Sequence, residues 1–174
     1  MTLSPDIREF VRRRARFACE YCGVTETNVG SELTVDHFQP KTKGGADDPD
    51  NLLYCCYRCN LYKADYWPEE PEDLPLWNPR REAAEQHFIE KEDGTFHPVT
   101  PIGSWTVQQL RLNREQLIAH RLEKKRQIEA VLALAQFGER VRLNEQFQAQ
   151  ALVMIEEQQK IINAQNNLLL SLLR

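Results

Sequence analysis

The sequence predicts an α+β fold, in which a small cysteine-stapled finger with an N-terminal helix precedes an α-helical C-terminal extension. Two Cys-x-x-Cys pairs enclose a short, turn-rich segment, β-prone residues lie between the pairs, and helical periodicity dominates beyond Gly103. These observations divide the chain into a finger with its N-terminal helix, a proline-rich connector with a small hairpin, and a helical region. We assign these parts to residues 1–66, 67–103 and 104–174.

The length of 174 residues fits one domain, or one small domain with an extension. A formal net charge of −4, from 22 Lys and Arg against 26 Asp and Glu, argues against a protein that coats nucleic acid through bulk charge. The chain starts with arginines where a signal peptide needs an apolar stretch, and Ser171 interrupts the late apolar run. We therefore expect a cytoplasmic protein with no membrane span, whose five cysteines stay reduced.

Ser4, Pro5 and Asp6 predict the start of the first helix, because they supply a capping hydroxyl, a first-turn proline and an acid near the positive end of the helix dipole. Apolar residues then recur at helical spacing, which leaves most of the following arginines on the opposite, solvated face. Alone, such a basic stretch is typical of a helix surface, but beside a nucleic-acid site it becomes a candidate phosphate clamp. The candidate contacts are Arg12, Arg13 and Arg16.

The segment between the cysteine pairs predicts a strand, a loop, and then a second strand or turn. Residues 33–38 are β-prone, and the polar residues 39–50 include a Gly-Gly pair and a proline, which favour a loop. The second strand or turn lies around residues 51–53, and a helix is expected to begin near Cys59. The finger therefore has the order ββα.

The connector begins with residues 67–78, which carry three prolines. Two short β-prone runs at residues 88–90 and 95–97 flank a Glu-Asp-Gly turn and predict a small hairpin. Capping-box patterns at Thr106 and Asn113 then predict the starts of two helices. We expect Gly138 to break the second of these helices, so that a last helix runs from there to the end of the chain.

Apolar residues of this last helix alternate in steps of four and three, which forms a heptad seam interrupted by two glutamines. The seam fits a helix that packs on its own domain, and it equally fits self-association as a homodimer or binding to a protein partner. Its positions are Phe147, Ala151, Met154, Gln158, Ile161, Gln165, Leu168 and Leu172.

The two cysteine pairs are Cys19 with Cys22 and Cys56 with Cys59, and 33 residues lie between them. Four thiolates in tetrahedral geometry make a closed structural Zn²⁺ site, which has no open position for catalysis. The enclosed segment is too small and polar to form a core unaided, so zinc would supply folding free energy. Cys55 is the spare thiol, which we interpret as a small apolar residue under the fold.

Asp36 and His37 lie between the cysteine pairs, and Asn60 directly follows the second pair. If the strand ending at His37 lies against the helix near Asn60, a carboxylate and an amide oxygen converge beside an imidazole. Such oxygens suit a hard divalent cation such as Mg²⁺ or Mn²⁺. Adjacent strand residues point to opposite faces, so Asp36 and His37 share one site only if the backbone bends there or the site wraps around the strand end.

These residues belong to three strings, RARFACEYCG, TVDHFQPKTKGG and DNLLYCCYRCNLYK, within residues 14–63. The cysteine pairs, the Asp-His pair, the Gly-Gly loop and the Cys-x-x-Cys-Asn ending, in this order, resemble the HNH endonucleases. That family has a ββα-metal (His-Me) finger mounted on a four-cysteine zinc site. Asn60 stands where many members have His, so the motif is an HNN form similar to that of phage recombination endonuclease VII.

The strings LWNPRREAAEQHF and TPIGSWTVQQLRLNR are similar to the region downstream of the motif in stand-alone bacterial HNH proteins, which extends the resemblance to about residue 114. Asn78, Arg80 and His87 lie in this region. By default we expect them to pack the connector against the finger, and the alternative is that they line a DNA groove.

The resemblance implies metal-dependent hydrolysis of DNA that leaves 5′-phosphate and 3′-hydroxyl ends. It makes His37 the general base, and it makes Asp36 and Asn60 the ligands of a catalytic Mg²⁺ or Mn²⁺. Asn51 would orient the loop and hold His37. The nearest candidates for phosphate contacts, which fit a solvated helix surface equally well, are Lys63 and Arg58.

Two other function classes fit parts of the sequence. A non-catalytic zinc finger could bind nucleic acid or protein, but it would not need Asp36, His37 and Asn60 together, and the acidic net charge disfavours tight DNA binding. A structural or regulatory protein could act through its C-terminal helices and keep the finger as a relic, and the heptad seam is compatible with that function.

Overall fold

The computed structural model describes residues 3–172, with side chains described up to residue 169. The chain forms two compact units, residues 1–124 and 125–174. The three-part division expected from the sequence stays a prediction. The elements are α1 (Pro5–Arg14), α2 (Glu26–Val29), β1 (Thr34–His37), β2 (Leu52–Cys55), α3 (Tyr57–Lys63), β3 (Phe88–Glu90), β4 (Phe96–Pro98), α4 (Pro101–Gln109) and α5 (Glu115–Leu172). Short strands beside a long C-terminal helix confirm the α+β class.

Helix α1 begins as its sequence predicts, with the Ser4 hydroxyl accepting a hydrogen bond from the backbone N–H of Ile7 at 3.3 Å. Arg12 ties this helix to α2, because its guanidinium donates to both carboxylate oxygens of Glu26, at 2.6 and 2.8 Å. This pairing, followed by the hydrogen bond from the Tyr54 hydroxyl, lowers the pKa of Glu26 to about 2. Arg12 therefore faces acids of the fold rather than the solvated surface expected from the sequence.

The finger is built on an antiparallel ribbon in which β1 pairs with β2, from Thr34 opposite Cys55 to His37 opposite Leu52. All four residues of β2 are buried, whereas β1 is partly exposed. Helix α3 follows directly and packs against β1. The second element after the loop is thus a strand, and α3 begins at Tyr57, two residues earlier than expected.

The predicted hairpin is confirmed, since β3 pairs with β4 in antiparallel register. Its aromatic face joins the connector, because the Trp77 and Phe88 rings pack edge to face with centroids 5.3 Å apart. Arg80 ties the connector to the finger, with its Nη1 3.2 Å from Glu20 Oε1. His87 is buried, with its Nδ1 2.7 Å from Thr100 Oγ1. Arg80 therefore packs the connector against the finger, as expected by default, and His87 holds the connector to the start of α4.

Neither capping-box prediction is correct. Helix α4 begins at Pro101 with Thr100 as its cap, while Thr106 lies inside the helix and accepts a 2.8 Å hydrogen bond from the backbone N–H of Trp77. Asn113 instead makes two 2.8 Å hydrogen bonds to the backbone of Phe96 in the hairpin. Both side chains satisfy backbone groups that are distant in sequence, which a local capping pattern does not include.

The predicted break at Gly138 is also wrong, because α5 continues through it as a single helix. A glycine costs a helix only about 1 kcal/mol relative to alanine, which the helix-favouring residues around it offset. The predicted helix end at residues 173–174 and the seam side chain of Leu172 lie outside the described part of the chain. No helix in the described residues combines the length and apolar character needed to cross a membrane.

Replacing Gly103 with alanine is expected to destabilise the first unit by about 1–3 kcal/mol, because a Cβ there would collide with the carbonyl oxygen of His87. The matched control is Gly138→Ala, whose Cβ would meet no described atom within 4 Å. Urea unfolding followed by tryptophan fluorescence measures the change, since all three tryptophans lie before residue 124. Equal unfolding midpoints for Gly103→Ala and the unmodified chain would contradict this close contact.

Candidate functional site

Four buried cysteines form a cluster where the ribbon meets α3. The Sγ atoms of Cys19, Cys22, Cys56 and Cys59 all lie within 4.8 Å of one another, and those of Cys22 and Cys56 are 3.7 Å apart. Tetrahedral zinc with Zn–S bonds of about 2.3 Å would place its sulfurs roughly 3.8 Å apart. The cluster is therefore compatible with a structural zinc ion.

Local backbone geometry brings each pair of thiols together. Gly23, at a φ of +74°, closes a turn in which its N–H donates to the carbonyl oxygen of Cys19 at 2.8 Å. Cys56 caps α3, and its Sγ accepts from the backbone N–H of Cys59 at 3.5 Å. Hydrogen bonds from Cys22 and then from the other neighbouring thiols hold the pKa of Cys19 well below its usual range. Cys55 is fully buried outside the cluster, in agreement with its predicted packing role.

Asp36 faces α3 and pairs with a buried lysine. Lys63 is only 1% exposed, and its Nζ lies 3.0 Å from Asp36 Oδ2 and donates to the carbonyl oxygen of His37 at 2.7 Å. The Asp36 Oδ2 atom is buried and completes no hydrogen bond with any described residue. The ammonium group of Lys63 is thus held inside the finger, not on the solvated helix surface that the sequence suggested.

Asn60 approaches the same face of β1 as Asp36. Its Nδ2 lies 3.4 Å from the hydroxyl oxygen of Thr34, which is two residues before Asp36 on the strand. Because side chains two residues apart point to the same face of a strand, the seam between β1 and α3 receives both predicted oxygen ligands. A carboxylate and an amide oxygen at such a seam suit a hard divalent cation.

His37 extends toward the loop that follows β1. Its Nε2 lies 2.7 Å from Asp47 Oδ1, and the Nζ of Lys41 lies 2.8 Å from the same carboxylate. These hydrogen bonds, with that of Lys41 the larger, lower the pKa of Asp47. Asp47 was not predicted from the sequence, where its only signal was an acid shortly after the Gly-Gly pair.

Asn51 closes this loop. Its Oδ1 accepts from the backbone N–H of Gln39 at 2.8 Å, and its Nδ2 donates to the carbonyl oxygens of Gln39 and Ala46 at 3.1 and 2.9 Å. Only a glycine fits at position 45, because a Cβ there would collide with the Gln39 carbonyl. Asn51 thus orients the loop, while the described hydrogen bond of the His37 ring is accepted by Asp47.

The predicted arginine contacts lie outside this arrangement. Arg12 pairs with Glu26, and the exposed Arg13 donates to Glu9 at 2.6 Å. Arg16 is exposed with a φ of +53°, and no described interaction joins the three arginines to Asp36, His37 or Asn60. Arg58 is exposed and lines a separate open cavity of about 760 Å³ together with Tyr57, Tyr62, Arg114 and His120.

A family model described as HNH endonuclease matches residues 19–65. The chain is also similar to the Septu protein PtuA of Bacillus mycoides (strain KBAB4), at 25% identity over 67% of this chain. The match spans about 20% of that longer protein, so this chain accounts for only a fraction of its length. No solved structure gives a significant match. The matched segment holds the cysteine cluster and the residues at the seam between β1 and α3, and residues 19–65 are therefore the part of the chain that matches the HNH endonuclease family.

Proposed function

We propose that this protein is a metal-dependent endonuclease that hydrolyses DNA phosphodiester bonds and leaves 5′-phosphate and 3′-hydroxyl ends. The observation that carries the proposal is the family match over residues 19–65, in which Asp36 and Asn60 approach one face of β1 and His37 directly follows Asp36 on that strand. A non-catalytic zinc-finger module that binds nucleic acid or protein is the alternative, and it needs no such grouping.

The four cysteine thiolates hold a structural Zn²⁺ in this proposal. Complete coordination by sulfur leaves the ion no open position, so zinc fixes the geometry of the finger and takes no part in hydrolysis. Arg114 supports the same site, since its Nη2 lies 3.9 Å from Cys59 Sγ. A guanidinium beside the cluster offsets part of the negative charge of four thiolates on a dication.

Asp36 and Asn60 are the proposed ligands of a catalytic Mg²⁺ or Mn²⁺. Asp36 Oδ2 is buried in the ion pair with Lys63, so the other oxygen of this carboxylate is the one that would hold the cation. When bound, the cation would polarise a phosphate oxygen and stabilise the leaving 3′ oxygen. Lys63 keeps the Asp36 carboxylate in place through the ion pair at 3.0 Å, so we assign it a positioning role rather than a phosphate contact.

His37 is the proposed general base that takes the proton from the attacking water. Its backbone is held by the 2.7 Å hydrogen bond from Lys63 to its carbonyl oxygen, and Asn51 holds the loop that follows it. Exposed cations are the proposed phosphate contacts, because the net charge of −4 requires local rather than bulk attraction of DNA. These cations are Arg58, Arg13 and Arg16.

His37→Ala is expected to abolish divalent-dependent nicking of a supercoiled plasmid, with a fall of at least about 100-fold because the general base is removed. Zinc content, measured by atomic emission, should remain one ion per chain. The unmodified protein is expected to cut the plasmid only when Mg²⁺ or Mn²⁺ is present. If the unmodified, zinc-loaded protein binds DNA but cuts it with neither metal, the binding-module alternative replaces the endonuclease.

Cys59→Ala is expected to lose the bound zinc and unfold the finger, because the apparent binding free energy of a structural zinc is about 10 kcal/mol or more. The matched control is Cys55→Ala, which removes a buried thiol outside the cluster and should retain one zinc per chain. Metal analysis measures the bound zinc of each variant, and circular dichroism measures its folding. Zinc loss from both variants, or from neither, would contradict the assignment of the four ligands.

We also propose that α5 associates with α5 of a second copy in antiparallel orientation. Sixteen large apolar side chains within residues 128–169 are 41–71% exposed, and they include the seam residues Phe147, Met154, Ile161 and Leu168. A helix apolar on so much of its surface is normally covered. Residues 125–142 carry four basic and two acidic side chains, whereas residues 143–169 carry one basic and three acidic. Antiparallel pairing therefore places opposite charges together.

Light scattering of the full chain at micromolar concentration should give twice the chain mass of 20.3 kDa. Reversing Arg140 and Arg142 to glutamate, or Glu156 and Glu157 to lysine, should each weaken the dimer by roughly tenfold through like-charge contacts. Combining all four reversals should restore the dimer, since the two halves of α5 then exchange their net charges. A monomer in the first experiment, or no restoration in the last, would contradict this pairing.

A further inference from the structure

We infer that Asp47, held by Lys41, is a positioning residue that keeps the proton of the neutral His37 ring on Nε2 and leaves Nδ1 as the basic nitrogen. The inference rests on the proposed endonuclease function for its catalytic meaning. The predicted protonation site of the His37 imidazole itself follows from the geometry of the loop.

The ring nitrogen that faces Asp47 is defined by a short contact. His37 Nε2 lies 2.7 Å from Asp47 Oδ1, and the His37 side chain is only 16% exposed. An ionised carboxylate accepts hydrogen bonds and donates none, so the ring nitrogen facing it must carry the hydrogen. In the neutral ring the other nitrogen, Nδ1, is then the acceptor, as a general base requires.

The residues just before Asp47 are held in place by the rest of the loop. Asn51 donates to the carbonyl oxygen of Ala46, the residue directly before Asp47. Gly44 adopts a φ of +82°, and Gly45 packs against the Gln39 carbonyl where no Cβ fits. The carboxylate therefore meets His37 through a constrained turn, although Asp47 itself lies at the surface.

Lys41 holds the carboxylate without choosing between its two oxygens. Its Nζ lies 2.8 Å from both Oδ1 and Oδ2 of Asp47 and can only donate. An asparagine at position 47 can therefore present its amide oxygen to the Nε2–H of His37, as the aspartate does. Asp47→Ala removes this acceptor, so the loop then selects neither ring nitrogen of the neutral imidazole. The amide should therefore preserve the protonation site better than alanine.

The protonation site is read directly by long-range ¹⁵N–¹H NMR of the zinc-loaded full chain, in which only four histidines need assignment. The unmodified protein and Asp47→Asn should show the proton of neutral His37 on Nε2, and Asp47→Ala should show it shared between the two ring nitrogens. A proton on Nδ1 in the unmodified protein, or an unchanged protonation site in Asp47→Ala, would overturn the inference. This readout needs no catalytic activity.

Cleavage kinetics test the consequence for the reaction. Asp47→Ala should lower kcat by about tenfold with KM changed less than about threefold, while Asp47→Asn should lower kcat by only about threefold. Asp50→Asn, which alters an exposed acid of the same loop, is the matched control and should match the unmodified protein.

Failure of the two proposals can be told apart. If the unmodified protein does not cut DNA but NMR finds the His37 proton on Nε2, the endonuclease function fails and the positioning role stands. If the protein cuts DNA and Asp47→Asn lowers kcat as much as Asp47→Ala does, Asp47 does not select the protonation site and serves only the loop.

Discussion

The convergence of four buried thiols is the constraint on which the rest of the finger depends. It joins the turn after α1 to the first residues of α3. The chain between them must therefore form two strands of four residues and lead back to the cysteine cluster. Strands this short form no stable ribbon alone. Once the ends are joined, α3 lies along β1, where Lys63 reaches Asp36 and Asn60 reaches Thr34 on one face of the strand. The proposed chemistry therefore depends on residues that take no part in it.

Charged side chains inside the finger carry much of this geometry. Lys63 is almost fully buried, and removing a partner from a buried charge is costly, so its pairing with Asp36 restrains both groups. Arg12 and Arg14 act similarly at the other end, since Arg14 donates to the carbonyl oxygens of Pro49 and Leu52. Lys63 and Arg12, which look like nucleic-acid contacts in the sequence, thus serve the fold, whereas Arg58 is exposed.

Prediction from the sequence succeeded where residue type alone decides the outcome. Two Cys-x-x-Cys pairs define a cluster whatever surrounds them, and the Glu-Asp-Gly turn defines its hairpin. It failed where a side chain had two possible partners. Thr106 and Asn113 each matched a local capping pattern, but both bind backbone groups from distant segments. Gly138 failed differently, because one unfavourable residue does not end a helix that its neighbours favour.

The sequence by itself determined the four-cysteine cluster, the ββα order and the candidates Asp36, His37 and Asn60, since these depend on chemical type and spacing. Only the tertiary structure decided that Lys63 turns inward and that His37 meets Asp47. The physical reason is that a hydrogen bond or ion pair depends on distances of a few ångströms. Those distances exist only after the loop and the helix have packed against β1.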